Sequence, residues 1–132
     1  MILIIDTASE KKFVAIQNNK TKKVFYFFDQ NRISEDLERH FKKIFLKISP
    51  RKIKQVVVNL GLGPFTATRV GVSFANAFSF ALKIPIIGVK NPKDLLKWTK
   101  NNYNAIIRQK KIHFVKPKYS QKPKITKSKR YF

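Results

Sequence analysis

The chain of 132 residues has no cysteine, which excludes a disulfide framework, a thiolate metal site and a cysteine nucleophile. Acid is scarce: seven Asp and Glu stand against 29 Lys and Arg, a formal net charge of +22. All seven (Asp6, Glu10, Asp29, Glu35, Asp36, Glu38, Asp94) lie before residue 95, and the 38 residues from there carry twelve Lys or Arg and no acid. Only two histidines occur, His40 and His113, and neither belongs to a recognisable metal-ligand set, so packing or surface roles are expected. No nucleophile–base pair can be named, so the chain does not read as a self-sufficient enzyme. Long apolar runs are missing as well. The longest uncharged helical stretch, Val70 to Leu82, is shorter than the roughly 18–20 residues a bilayer requires and is interrupted by Asn76, so no membrane span is expected. MILIIDTASE lacks the basic start and long apolar core of a signal peptide, which leaves the cytoplasm as the expected location.

What is present begins with charge. An excess of this size suits a polyanionic partner, nucleic acid ahead of a membrane surface. Lysine outnumbers arginine 23 to 6 in a chain also rich in Ile, Asn and Phe, so AT-rich codon usage is a competing source of the overall excess. It explains the acid-free tail less well.

The central stretch is Gln55 to Leu82. Val56-Val57-Val58 reads as a strand buried on both faces. Gly61-Leu62-Gly63-Pro64 turns the chain, and Thr66 or Thr68 is the expected N-cap of a helix. That helix is apolar all round, so one side is expected on a sheet and the other against a second helix or another chain. Gly71, Ala75 and Ser79 form a small-residue row at i, i+4, i+8 that would let a neighbouring helix approach.

Around this stretch the pattern predicts strands at Leu3–Thr7, Lys12–Asn18 and Lys23–Asp29, with a turn at Asn18-Asn19-Lys20. Ser34 is the expected cap of a helix with Glu35 and Asp36 in its first turn and an apolar stripe of Leu37, Phe41, Ile44, Phe45 and Ile48. Ile84–Val89 reads as a further strand, and Asn91-Pro92 as the start of a third helix, Lys93 to Lys100. Ala105 to Val115 is predicted to form one or two short strands. Residues 116–132 read as a basic extended tail. The order β-β-β-α-β-α-β-α gives an α/β domain, a five-stranded mixed sheet with three helices, over residues 1–104, followed by a basic strand and tail over 105–132.

These residues resemble a known family. The strand order is similar to the first lobe of the actin/Hsp70/sugar-kinase superfamily, and MILIIDTAS looks like the opening of the TsaB (YeaZ) family. That family's diagnostic loop reads roughly G-P-G-S-F-T-G-L-R-I-G, and Gly61, Gly63, Phe65, Thr66, Arg69 and Gly71 match it here. The following strand, Ile84 to Val89, also matches. Ser34-Glu35 falls where the family has His-Ser-Glu, with Ile33 in place of His, and Lys116 through Thr126 is similar to the closing P-x-Y-L-R tail. Leu62, Pro64, Ala67 and Thr68 depart from the family's loop. The resemblance covers about residues 1–98 continuously; the family's second lobe is expected to be largely missing.

The resemblance implies a non-catalytic scaffold in the synthesis of threonylcarbamoyladenosine on tRNA, supporting a TsaD-like transferase assisted by a TsaE-like ATPase. The expected partner face is Leu37, Phe41, Phe45, Arg69, Gly71, Phe74, Ala75, Phe78 and Ser79. Arg69 reads either as a snorkelling surface residue or as half of an ion pair. Gly61, Gly63 and Thr66 are candidate phosphate holders at a helix N-terminus, although neither a G-x-G-x-x-G nor a Walker pattern is present and a tight structural turn is the simpler reading. Asp6 falls where superfamily kinases hold metal and nucleotide; without a glycine-rich turn after it, a strand-end cap is the simpler role. Lys116, Lys118, Tyr119, Lys122, Lys124, Lys127, Lys129 and Arg130 are candidate RNA contacts, cations interleaved with aromatics. No cofactor or metal of its own is expected; ATP at a partner interface and a homodimer in the free chain stay open. The alternatives are a standalone basic RNA-binding module and, more weakly, a degenerate phosphotransferase.

Overall fold

In a computed structural model the chain is described over residues 1–27 and 32–118. Its elements are β1 (Ile2–Asp6), β2 (Phe13–Gln17), β3 (Lys22–Tyr26), α1 (Ile33–Phe45), β4 (Gln55–Gly61), α2 (Phe65–Leu82), β5 (Ile86–Lys90), α3 (Leu95–Asn101) and α4 (Tyr103–Arg108), with a 3₁₀ turn at Pro50–Lys52. The strands form one five-stranded mixed sheet in the order β3-β2-β1-β4-β5. β1, β2 and β3 make an antiparallel meander; β4 joins β1 in parallel, and β5 joins β4 in parallel.

The uninterrupted apolar strands follow from cover on both faces. Leu3, Ile5, Val56 and Val58 point to one side, into a core with Leu37, Phe41, Val72 and Ala75 of α1 and α2. Ile2, Ile4 and Val57 point to the other, where Val89, Leu95 and Ile106 meet them. Each fully buried side chain of this size is worth about 1.5–3 kcal/mol of transfer free energy. The α/β class and the mixed sheet are those read from the sequence.

The expected strands over Ala105–Val115 are not there. Residues 105–108 close α4, and residues 109–118 form neither helix nor strand. Tyr103 and Ile106, three residues apart, turn onto the α3 side of the sheet, and that contact selects a helical turn. α4 thus spans the boundary expected at residue 104.

Helix starts also shift. α1 begins at Ile33 after Arg32, with Ser34 already inside its first turn, and no side-chain capping bond forms among the described residues. α2 begins at Phe65 after Pro64, so Thr66 and Thr68 lie within the helix. α3 begins at Leu95 because Asp94 accepts from the Lys97 amide at 3.1 Å, which displaces the start expected at Pro92. β5 begins at Ile86, since Ile84 is occupied closing α2: its amide donates to Ser79 O, and its carbonyl accepts from Ser79 Oγ. Asn18 makes the expected turn, its Oδ1 accepting from the amides of Lys20 and Thr21. β3 ends at Tyr26; Phe28 and Asp29, expected within it, lie outside the described residues.

The row Gly71, Ala75 and Ser79 faces the chain's own sheet. A Cβ at Gly71 would collide with the Thr7 side chain, whose hydroxyl donates to Ala67 O at 2.5 Å. Ala75 and Ser79 are buried. At Gly71 the close approach is that of α2 to the end of β1, and Ala75 and Ser79 are buried within the chain's own core, which corrects the expectation of a second helix there. No helix among the described residues is long and apolar enough to cross a membrane.

Candidate functional site

The apolar faces of α1 and α2 meet through four phenylalanines. Phe41 stacks on Phe74 with ring centroids 4.3 Å apart, and Phe45 and Phe78 extend the stack at 5.6–5.9 Å. Such pairs add about 0.5–1.5 kcal/mol each beyond the area they bury. Much of the cover that α2 requires therefore comes from within the chain. Of the residues expected to face a partner, Leu37, Phe41, Gly71, Ala75 and Ser79 are interior and cannot touch one in this fold. Phe45, Phe74 and Phe78 are half-buried at the seam, and Arg69 is exposed. Arg69 makes no ion pair among the described residues; the three pairs found there, Arg32–Glu35, Arg39–Asp36 and Lys42–Glu38, all belong to α1 or its cap.

Two grooves follow the outside of this seam. One, of about 520 Å³, runs along α2 between Phe65, Thr66, Arg69, Val70, Ser73 and Phe74. The other, of about 530 Å³, lies between the helix starts and is lined by Ile33, Ser34, Glu35, Thr66, Val70 and Lys12 among others. Lys12 was not singled out in the sequence. It is nearly buried, donates from Nζ to Ser9 O at 3.0 Å, and has its pKa lowered by burial against the opposing pull of Asp6 and Glu10. Phe65, 38% exposed, is the open apolar end of the first groove.

The loop between β4 and α2 is a closed turn. Gly61, at φ +102°, donates its amide to Asn59 Oδ1 at 2.8 Å and lies against the Lys118 backbone. Gly63 packs on the Ala8 carbonyl. Thr66 alone of the three candidate phosphate holders is exposed, so they do not converge on an open cradle. Asp6 is buried beneath them: Oδ1 accepts from the Ala8 and Ser9 amides and from Asn59 Nδ2, and Oδ2 accepts from Ser9 Oγ. Its carboxylate is thus spent tying β1 to β4, the strand-end role read from the sequence. Among the described residues, no three His, Asp or Glu side chains converge where a metal ion could sit.

The extended segment after α4 crosses the other flank of α2. Asn76, the polar interruption in the apolar helix, grips it twice: Nδ2 donates to Val115 O at 2.9 Å, and Oδ1 accepts from the Val115 amide at 3.0 Å. Phe114 stacks on Phe80 at 6.0 Å, and the Lys118 amide donates to Leu60 O. Lys116 and Lys118 are exposed on this segment; Tyr119, Lys122, Lys124, Lys127, Lys129 and Arg130 lie outside the described residues. His40 is buried between the rings of Phe25 and Phe27, and burial lowers its pKa against the opposing Asp36 carboxylate.

Residues 30–122 match the family model described as TsaD: tRNA N6-adenosine threonylcarbamoyltransferase. The tRNA threonylcarbamoyladenosine biosynthesis protein TsaB of Buchnera aphidicola subsp. Schizaphis graminum (strain Sg) is 31% identical over 114 residues, covering 81% of this chain and 53% of its own. The chain therefore spans about half the length of that curated relative. Among solved structures, YeaZ from Pseudomonas aeruginosa superposes with a TM-score of 0.64 at 19% identity, over 79% of this chain and 51% of that one. A second structure, of an uncharacterised protein described as similar to peptidase YeaZ from Pseudomonas aeruginosa, gives 0.63 at 20%, over 78% and 47%. At these identities the two structures speak to the fold, which is the actin-like first lobe.

Proposed function

This chain belongs to the TsaB (YeaZ) family, and we propose that it works as a non-catalytic scaffold in the making of threonylcarbamoyladenosine on tRNA. In this reading it docks a TsaD-type transferase along the outer seam of α1 and α2, with a TsaE-like ATPase and tRNA as further members of the assembly. The observation that carries it is the pair of grooves there. The first runs on from Phe74 of the phenylalanine stack to exposed Phe65 and Arg69, an apolar surface with one charge in its lining, and the second adjoins it through Thr66 and Val70 and adds Glu35 and Lys12. A helix laid against this seam would complete the cover of Val70 and Phe74, both half-buried. Any ATP in the assembly belongs to the partner interface in this reading, since the chain's own glycine turn is closed.

The test is co-expression with the TsaD-type protein of the same organism, followed by size-exclusion chromatography with light scattering. A stable complex is expected, lost on Phe65→Asp or Ser73→Arg while circular dichroism of the lone chain stays unchanged. Both positions are exposed, so the fold tolerates the change, whereas an arginine at fully buried Ala75 would unfold the chain and decide nothing. A basic module that binds RNA alone is the competing reading, favoured by the acid-free run from residue 95. It takes over if the two proteins elute apart and the lone chain retains tRNA in a salt-sensitive way.

A further inference from the structure

The flank of α2 opposite the partner seam carries a second exposed apolar surface of different character. Phe80 and Phe114 are 59% and 69% exposed, yet their rings lie 20° from parallel. Ile112, 51% exposed, adjoins them. Between these side chains lies a cavity of about 350 Å³, completed by Ser79, Lys83 and His113. The surroundings are cationic: Lys110, Lys111 and Lys116 are exposed on the same segment, and no acid occurs after Asp94.

We infer that the Phe80–Phe114 pair is a stacking platform for an unpaired base of RNA, with Lys83 and the segment lysines meeting the adjoining phosphates. Three features favour this ligand. A nucleotide presents a flat π face and an anion within one residue's length, the combination this surface complements. A base laid on either ring would continue a stack the protein has already begun. The platform is also built in advance: the two bonds from Asn76 to the Val115 backbone fix the residue next to Phe114, so little freedom is lost when a ligand arrives. A protein partner would bury the two rings but leave the lysines facing each other without counter-charge unless it brought acids of its own.

The placement of this site within a tRNA-modifying assembly rests on the scaffold reading; the binding itself does not. The probe is a fluorescein-labelled single-stranded oligouridine of about 12 nucleotides, titrated with the full chain alone and followed by anisotropy at several salt concentrations. Phe80→Ala and Phe114→Ala are expected to weaken binding about fivefold or more, with the slope of log K against log salt unchanged. Phe114→Trp restores it, which a loss of folding would not allow. Lys83→Gln with Lys111→Gln is expected to make that slope shallower. If both alanine variants bind like the parent chain, the surface is a diffuse basic patch and the platform is overturned. If light scattering instead finds a dimer that Phe114→Asp disperses, the rings form a protein interface and the proposal also fails. Neither result touches binding of the transferase at the α1–α2 seam, which is read with Phe65→Asp.

Discussion

At the scale of single residues, His40 shows what burial does to a titratable group. It packs between Phe25 and Phe27 of the meander edge, with Asp36, Arg39 and Lys43 on its own helix. Desolvation outweighs the pull of Asp36 and lowers its pKa from the ordinary 6.5. The unfolded chain takes up a proton as pH falls through 6.5, while the folded chain refuses it until a lower pH. Stability therefore declines as pH drops from 6.5 toward the folded value and is retained above it. Thermal unfolding followed between pH 7.5 and 5.5 is expected to show Tm falling, with His40→Phe flattening the fall. An unchanged pH dependence in that variant would mean other groups carry it. Gly71 makes a second point at this scale. Its spacing with Ala75 and Ser79 was legible in the sequence as a close-approach row, but what approaches was not. The partner is the Thr7 hydroxyl at the end of β1, more than sixty positions away.

At the scale of elements, strands declared themselves through runs that can only be buried twice, such as Ile2–Ile5 and Val56–Val58, and the helices through stripes such as Leu37, Phe41 and Ile44. The segment from Ala105 misled because its β-branched pair, Ile106 and Ile107, reads as strand until Tyr103 is counted at helical spacing. The partner face was legible only in outline. α1 and the segment over residues 112–118 cover much of the apolar helix from inside the chain, a long-range arrangement that no local pattern reports. Asn76 holds that segment and is the element-scale test. Asn76→Leu leaves the Val115 N–H and C=O without their partner, a loss worth about 1–3 kcal/mol where such groups are desolvated. Amide exchange at Val115 is expected to speed up about tenfold or more, while amides in β1 and β4 keep their protection. Asn76→Asp keeps the acceptor for the Val115 amide, so it should fall between the two. Equal protection at Val115 in all three chains would show that Phe114 and Lys118 hold the segment without it.

At the scale of the whole molecule, a net charge of +22 sets two surfaces apart. The ion pairs among the described residues all sit on α1 and its cap, so the cations of α3, α4 and the segment after them have no ion-pair partner among those residues and repel one another. Screening shortens the reach of that repulsion from about 30 Å at 0.01 M salt to about 8 Å at 0.15 M. The free chain should therefore unfold at a higher temperature as potassium chloride is raised through that range. The same salt should act oppositely on its two proposed ligands. RNA held by Lys83, Lys110 and Lys111 displaces counterions on binding, so its affinity falls linearly in log salt with a slope set by the number of phosphates met. A transferase held along Phe65, Val70 and Phe74 gains from apolar burial, and its affinity should change little over the interval. Titrating both ligands against one preparation at four salt concentrations separates the cases. A flat line for the transferase beside a steep one for RNA assigns the two flanks of α2 to different partners. Two steep lines would mean that both are held by the same basic surface, and the α1–α2 seam would lose its claim to the transferase.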